Sequence, residues 1–266
     1  MCSSDLSRWP GGKFERISAQ GAIFITVDLS DTDFTSADLT DADLSKATLR
    51  RAVLTQILVN NGNLSDADCQ AARFDSITAN NANFARIDAR DAVFTSAVLK
   101  GSSFVAARLS RAQLDKADLT NTDLSNARLD NANLRGANLT GANLSNADLT
   151  KAQLAGVTIT AATTLSDKHR LIIDFSTNGA AGRDLHGVDL SGACLQAVSF
   201  VGANLVGANL SDADMSNADL SGADLSGANI SLTVLLNAKI DAATKLDDKA
   251  ALVLSLSTHG DRKSVV

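Results

Sequence analysis

Leucine or phenylalanine recurs at every fifth position through most of this chain. From Ala117 to Lys151 the spacing never slips: ADLTN, TDLSN, ARLDN, ANLRG, ANLTG, ANLSN, ADLTK. An α-helix turns about 100° per residue, so positions five apart drift around its axis and form no stripe. A continuous strand fails as well, because an odd step sends every second Leu to the opposite face. The pattern closes if each pentad is a short extended piece followed by a corner. Leu139, a centre, and Ala137, the minor inward residue two before it, then point inside while Asn138 points out. Thr140 and Gly141 turn the chain into the next pentad. Asn, Asp, Ser, Thr and Gly crowd the outward and corner positions, where they satisfy local backbone groups or accept unusual torsions. The predicted architecture is a solenoid whose coils bury their apolar sides on the coils above and below.

Centres continue at every fifth residue from Phe24 to Ile159, and Trp9, Phe14 and Ala19 hold the same register. Arg8–Gly12 reads alternatively as a loop. Where a centre shrinks, its inward companion grows: Ala79 is paired with Ile77, Ala89 with Ile87 and Val59 with Ile57. Phe74 and Phe84 add volume beside them. Such compensation is what a close-packed interior requires, since an unfilled Leu-to-Ala site costs about 2–5 kcal/mol.

The repeat A-(D/N)-L-x-x resembles the pentapeptide-repeat family. That resemblance implies an all-β solenoid, a right-handed quadrilateral β-helix with four pentads per coil; the period alone implies neither the hand nor the four sides. With coils of that length, residues twenty apart stack into columns. One side then concentrates Arg50, Arg51, Arg90, Arg108, Arg111, Arg128 and Lys151, interleaved with Asp28, Asp31, Asp68, Asp88, Asp91, Asp130 and Asp148. It is the candidate partner-docking face, because guanidinium groups suit polar recognition at protein surfaces. After its first coil the opposite side is mostly uncharged, with Asn60, Asn61, Asn80, Asn81, Gly101, Thr120, Asn121, Thr140 and Gly141.

The register breaks after Ile159 and resumes, one residue out of phase, at Leu185. The intervening segment recurs at a constant separation of 81 residues: Ala161–Gly179 returns as Ala242–Gly260, sharing AAT, Leu, Asp-Lys, Leu and Ser-Thr-x-Gly. Ser166 or Asp247 could cap a short helix running through Phe175 or Leu256, with Asp167 or Asp248 favourable in its first turn. The predicted organisation is a first β-helix over 7–160 and a helical cap over 161–180. A second β-helix follows over 181–241 and a second cap over 242–260. An inserted strand pair around Ile172–Ser176 is the alternative to the first cap. Met1–Leu6 and Asp261–Val266 match what common sequencing adapters encode. The expectation is therefore that 1–6 and 261–266 are artefacts and that residues 7–260 are a bacterial fragment of a longer protein.

Charge and chemistry narrow the function classes. The 266 residues carry a net charge of −6, which argues against sequence-independent nucleic-acid binding. No apolar run approaches the roughly 20 residues needed to span a bilayer. Between Asp184 and Ala238 there is no Lys or Arg, and Asp214, Asp219 and Asp224 are the candidate acidic face. Cys2, Cys69 and Cys194 lack metal-ligand spacing, and disulfides are not expected; a reducing, cytoplasmic compartment is permitted. His169, His186 and His259 have no nucleophile or ligand partner at useful spacing. No phosphate loop, HExxH or GxSxG occurs. No active site, metal or cofactor is expected.

The first reading is a non-catalytic structural or interaction module that offers flat faces to a protein partner. The second comes from the resemblance: some members of the family imitate duplex DNA and protect a type II topoisomerase, gyrase. A mimic needs negative charge at about one per 1.7 Å of axis. The charged side of the first block instead balances its seven Asp with seven Arg or Lys.

Overall fold

A computed structural model describes residues 8–247, which form two compact units. The first ends at Ser166 and the second begins at Asp167.

In the first unit the pentads contribute one bridging residue each, and the bridges are parallel and pair residues twenty apart until the last, Asn143↔Thr164, which spans twenty-one. The series runs Arg8↔Asp28, Lys13↔Asp33, Ser18↔Asp38, Ile23↔Asp43 and continues unbroken to Asn138↔Thr158. A coil is therefore four pentads. The extended part of each side is too short to count as a multi-residue strand.

One set of hydrogen bonds repeats along the chain. A centre donates to the outward residue of the next coil, as Leu49 N–H does to the Asp68 carbonyl at 2.6 Å. An outward residue donates to the minor inward carbonyl of the previous coil, as Val53 does to Thr32 at 2.8 Å. The second corner residue reaches the first corner of the next coil, as Asp31 N–H does to Arg50 O at 2.9 Å. Finally the next minor inward N–H closes a turn onto the centre carbonyl, Ala37 to Phe34 at 2.9 Å. One donor is left over, the N–H of the first corner residue.

That leftover donor explains the Asp or Asn of the motif. The outward carboxylate or amide two residues earlier accepts it: Thr35 N–H to Asp33 at 2.9 Å, Ser45 to Asp43 at 2.9 Å, Thr140 to Asn138 at 3.1 Å, Thr150 to Asp148 at 3.0 Å. Buried or half-buried donors are costly to leave unmade, so this local bond selects a short side-chain acceptor at each outward position.

The second corner residue is left-handed in almost every pentad, with φ of 55° to 70°. A turn of this hand accepts Gly or Asn readily and costs other residues. Yet Arg51, Arg111, Lys116 and Ala106 all occupy it, held there by the ladder on both sides. At Gly156 an added Cβ would meet nothing closer than 3.8 Å, so only its φ of +70° opposes a side chain. Gly156→Ala should cost about 1 kcal/mol, and Ala106→Gly should gain a comparable amount, read as shifts in the urea midpoint.

The interior is filled by columns of side chains, one from each side of the coil. Phe74 stacks on Phe94 at 4.6 Å and 6°, and Phe84 on Phe104 at 4.5 Å and 8°. Edge contacts at 6.0–6.4 Å join the two stacks. Ala79, Ala89, Ile77 and Ile87 are wholly buried around this cluster. Large rings on two sides of the coil thus coincide with small centres on the other two.

The second unit begins with helix α1, Asp167–Asn178. It runs past the expected Phe175 and ends where Gly179, at φ +67°, donates its N–H to the Phe175 carbonyl at 2.9 Å. The strand-pair alternative for this segment is excluded. By sequence the segment stands behind the first block; structurally it belongs to the second unit and lies over that unit's first coil. Ile172, Ile173 and Phe175 are its buried residues, and Phe175 meets Phe200 edge-on at 5.7 Å. Arg183 sits 5.4 Å over the Phe175 ring and pairs with Asp174. Lys168 donates to Asp189 at 3.2 Å and to the Ser191 carbonyl at 2.6 Å. Parallel bridges at the same twenty-residue separation then resume with Asp184↔Asn204. The second cap, beyond residue 247, and both adapter-like ends lie outside the described residues.

A candidate partner-docking face

The seven cations singled out from the sequence occupy one strip of the first unit, at three kinds of position. Arg108 and Arg128 are outward bridging residues; Arg50 and Arg90 are first corners; Arg51, Arg111 and Lys151 are left-handed second corners. The twenty-residue coil stacks each kind into its own column.

Within the strip, guanidinium and carboxylate interlock between coils. Arg51 grips Asp31 through two bonds, both 2.7 Å, and Arg111 grips Asp91 at 2.6 and 2.7 Å. Arg50 donates to Asp68 at 2.6 Å. Arg90 makes two 2.8 Å bonds to Asp88, and Arg108 approaches the same carboxylate at 3.1 Å. Arg128 is exposed in the same column. The bond from Arg51 holds the Asp31 carboxyl below its usual range, and that from Arg111 does the same for Asp91. Burial works to raise Asp88, but its bond to Arg90 and the charges of Arg108 and Arg90 outweigh it and leave it lowered. Such pairs remain largely solvated, with the Arg51 and Arg111 side chains 61% and 57% exposed. Individually they add little stability, while the two-point grip fixes the orientation of each guanidinium plane.

The acidic trio is not brought to one face. Asp214, Asp219 and Asp224 are successive outward residues of one coil, bridged to Cys194, Ser199 and Asn204 on three different sides. They form a belt, each accepting the N–H and hydroxyl of the Ser two residues on. Each is also met from an adjacent coil: Asp214 by Gln196 at 2.6 Å, Asp219 by Lys239 at 3.6 Å, Asp224 by Lys245 at 2.9 Å. Sequence reasoning passed over Lys239 and Lys245 because they fall just beyond the Lys-free stretch. The twenty-residue spacing from Asp219 to Lys239 was the available signal.

On the side opposite the basic strip, the Asn60 amide oxygen accepts both the backbone N–H and the side-chain amide of Asn80, at 2.9 and 3.0 Å. Asn81 and Asn121 reach over Gly101 and Gly141, where a Cβ would come within 2.6 and 2.2 Å of their oxygens. These are space-filling ladders. Among the described residues no three His, Cys, Asp or Glu side chains gather to hold a metal ion. Cys69 is buried among the centres, which pushes its thiol pKa up.

Acid should loosen the second unit. Burial works to raise the Asp189 carboxyl, but its bonds to Ser191 and Lys168 outweigh it and hold the pKa at about 2. Asp224 is lowered to about 2 by Ser226 and then Lys245. Both values lie below the roughly 3.9 of an unfolded Asp, so between these limits the unfolded chain binds more protons. The stability these groups confer is whole above about pH 4 and is lost as pH falls toward 2. Urea midpoints at pH 5, 4, 3 and 2 should decline in that order. Asp224→Asn should flatten the decline while keeping the turn, as Asn209 and Asn229 already do.

The chain matches the family profile described as a pentapeptide repeat region over residues 27–104 and 87–163. A second profile, pentapeptide repeats in 8 copies, matches residues 193–231. No curated protein matches. Similar solved structures include HetL, described as a pentapeptide repeat protein involved in heterocyst differentiation regulation, from the cyanobacterium Nostoc sp. strain PCC 7120. It is 27% identical with a TM-score of 0.47, covering 83% of this chain and 92% of that one. A pentapeptide repeat protein from the Arabidopsis thaliana thylakoid lumen is 34% identical over 37% of this chain and 68% of its own, with a TM-score of 0.36. QnrB1, described as a plasmid-mediated fluoroquinolone resistance protein, is 18% identical over 62% of this chain and 94% of its own, also at 0.36. With its profile match spanning more than half the sequence, the chain belongs to the pentapeptide-repeat proteins.

Proposed function

We propose that this chain is a non-catalytic structural and protein-interaction module, a right-handed β-helix whose first unit offers the Arg50–Lys151 strip to a protein partner. The observation that carries this reading is the interlocked pattern itself. Guanidinium groups recur at coil spacing with their planes already set by Asp31, Asp88 and Asp91. Side chains ordered before binding lose less freedom on docking, so a rigid array favours association with a surface of matching alternating charge. Because Arg50, Arg51, Arg90, Arg108 and Arg111 are each paired with a carboxylate, most of the strip's positive charge is compensated, which disfavours the recruitment of nucleic acid.

Photo-crosslinking separates the two sides of the unit. A photoreactive residue in place of Arg128 should give one product of fixed mass, lost when Arg108 and Arg111 are changed to Glu. The same group in place of Asn121 should not give that product. Equal labelling from both positions would remove the strip from consideration. A supercoiling assay with purified gyrase tests the DNA-mimic alternative. Drug protection at submicromolar protein, abolished by changing Asp214, Asp219 and Asp224 to Asn, would replace the scaffold reading.

A further inference from the structure

The charges of the strip are ordered along the solenoid axis. The coil of Asp28 and Asp31 carries no cation on this side, and the next carries Arg50 and Arg51 with no carboxylate. Two coils further on, Asp88 and Asp91 outweigh Arg90, and the coil after that carries Arg108 and Arg111 with no carboxylate. Between these two acidic-then-basic steps lies the coil of Asp68, Gln70 and Ala71. Its one charge is already met, since Asp68 accepts from Arg50 at 2.6 Å and from Gln70 at 3.1 Å. Ala71 is an exposed left-handed corner, φ 55°, which presents only a methyl group.

Turned end for end about the Ala71 coil, this order meets its own opposite. The coil of Asp28 and Asp31 then lies against that of Arg108 and Arg111, both about 10 Å from the axis at about 4.8 Å per coil. The coil of Arg50 and Arg51 lies against that of Asp88 and Asp91, one coil from the axis on either side. The register is specific. Moving the axis half a coil sets Arg51 against Arg111 or Asp31 against Asp91, and a parallel copy in register sets each charge on its like. The bonds within one chain do not use up these groups. Arg51 and Arg111 hold their carboxylates through Nε and Nη2, which leaves Nη1 of each to donate outward. The Asp31 and Asp91 side chains are both 48% exposed, and a carboxylate accepts more than two bonds.

We propose, resting on the reading of the strip as a docking face, that its partner is a second copy of this chain, antiparallel about a twofold axis at Ala71. Asp31 of each copy meets Arg111 of the other, and Arg51 of each meets Asp91 of the other. One patch serves both copies, so every contact is made twice. The small Ala71 side chain lets the two strips approach closely at the axis.

Sedimentation of the full-length chain tests this. At low ionic strength the chain should be dimeric, and its dissociation constant should rise roughly tenfold or more toward physiological salt, because the contacts are exposed charges. Arg111→Asp and Asp31→Arg should each be monomeric alone, since like charges then face each other across the axis. Both should keep urea midpoints near wild type, because the ladder bonds at these exposed corners, Arg111 to Asp130 and Asp31 to Arg50, are made by the backbone. Mixed in equal amounts, the two variants should form a heterodimer, each supplying the charge that the other lacks. A chain that stays monomeric in low salt up to its solubility limit would overturn the proposal. So would a dimer that survives Arg111→Asp, or two folded variants that do not associate on mixing. The photo-crosslink from position 128 should weigh twice the chain. A product of another mass would overturn self-association and leave the strip as a docking face for a foreign protein, whereas no product from that position would remove both.

Discussion

Leu134→Asp is expected to destabilise the first unit by about 3–5 kcal/mol, the usual cost of an unpaired charge in a closed interior. Leu134 is wholly buried, with Leu114 and Leu154 one coil to either side of it in the same column. Neither water nor a cation can reach a carboxylate placed there without opening the stack. Because each coil rests only on its neighbours, the loss extends to both adjoining coils. Asn131→Ser, three residues away, changes an exposed corner whose ladder bond to Thr150 is made by the backbone. Its effect should stay within about 1 kcal/mol, since the corner torsion is somewhat less favourable for Ser. Urea unfolding of both variants decides the matter. Equal losses would mean that inward and outward positions have been wrongly assigned.

Phe94→Ala should cost about 3–5 kcal/mol, because it removes one layer of a stack and both edge contacts at once. The same cluster makes a finer prediction about volume. Ala79→Leu alone should overpack the coil at a cost of about 1–3 kcal/mol, and Ile77→Ala alone should leave a cavity costing about 2–5 kcal/mol. Together they exchange a large companion for a large centre on one side. The double variant should therefore be more stable than the sum of the two losses implies, by at least 1 kcal/mol. Strict additivity would show that residues 77 and 79 fill separate spaces.

The inward positions could be read directly, because a five-residue period leaves the centres no other consistent place and because Ile77 and Ile87 grow where Ala79 and Ala89 shrink. The basic strip followed once a coil length was supplied by the resemblance, and the bridges twenty apart place its residues in the expected columns. The acidic trio went astray for a physical reason. Asp214, Asp219 and Asp224 are neighbours in sequence, but each corner between them turns the chain to a new side. Helix α1 was legible as an amphipathic segment, yet an apolar stripe records only that it is covered and not by which coil. The left-handed torsions of Arg51, Arg111 and Lys151 left no trace in side-chain type, since the ladder rather than local preference imposes them.

The bridge spacing also bears on how such a chain can lengthen. Inserting twenty residues adds one complete turn of about 4.8 Å and keeps every column aligned, parting only the ion pairs and amide ladders that span the point of insertion. Inserting a single pentad preserves the core equally well but rotates all later residues onto the next side. Arg108 and Arg111 would then leave the strip that Arg50 and Arg51 begin, and their carboxylate partners one coil away would be mismatched wherever the insertion fell between them. Stability tolerates growth in fives, whereas a recognition surface tolerates it only in twenties. A lineage under selection for its charged side should therefore gain and lose whole coils, and one kept only for its rod should show lengths in any multiple of five.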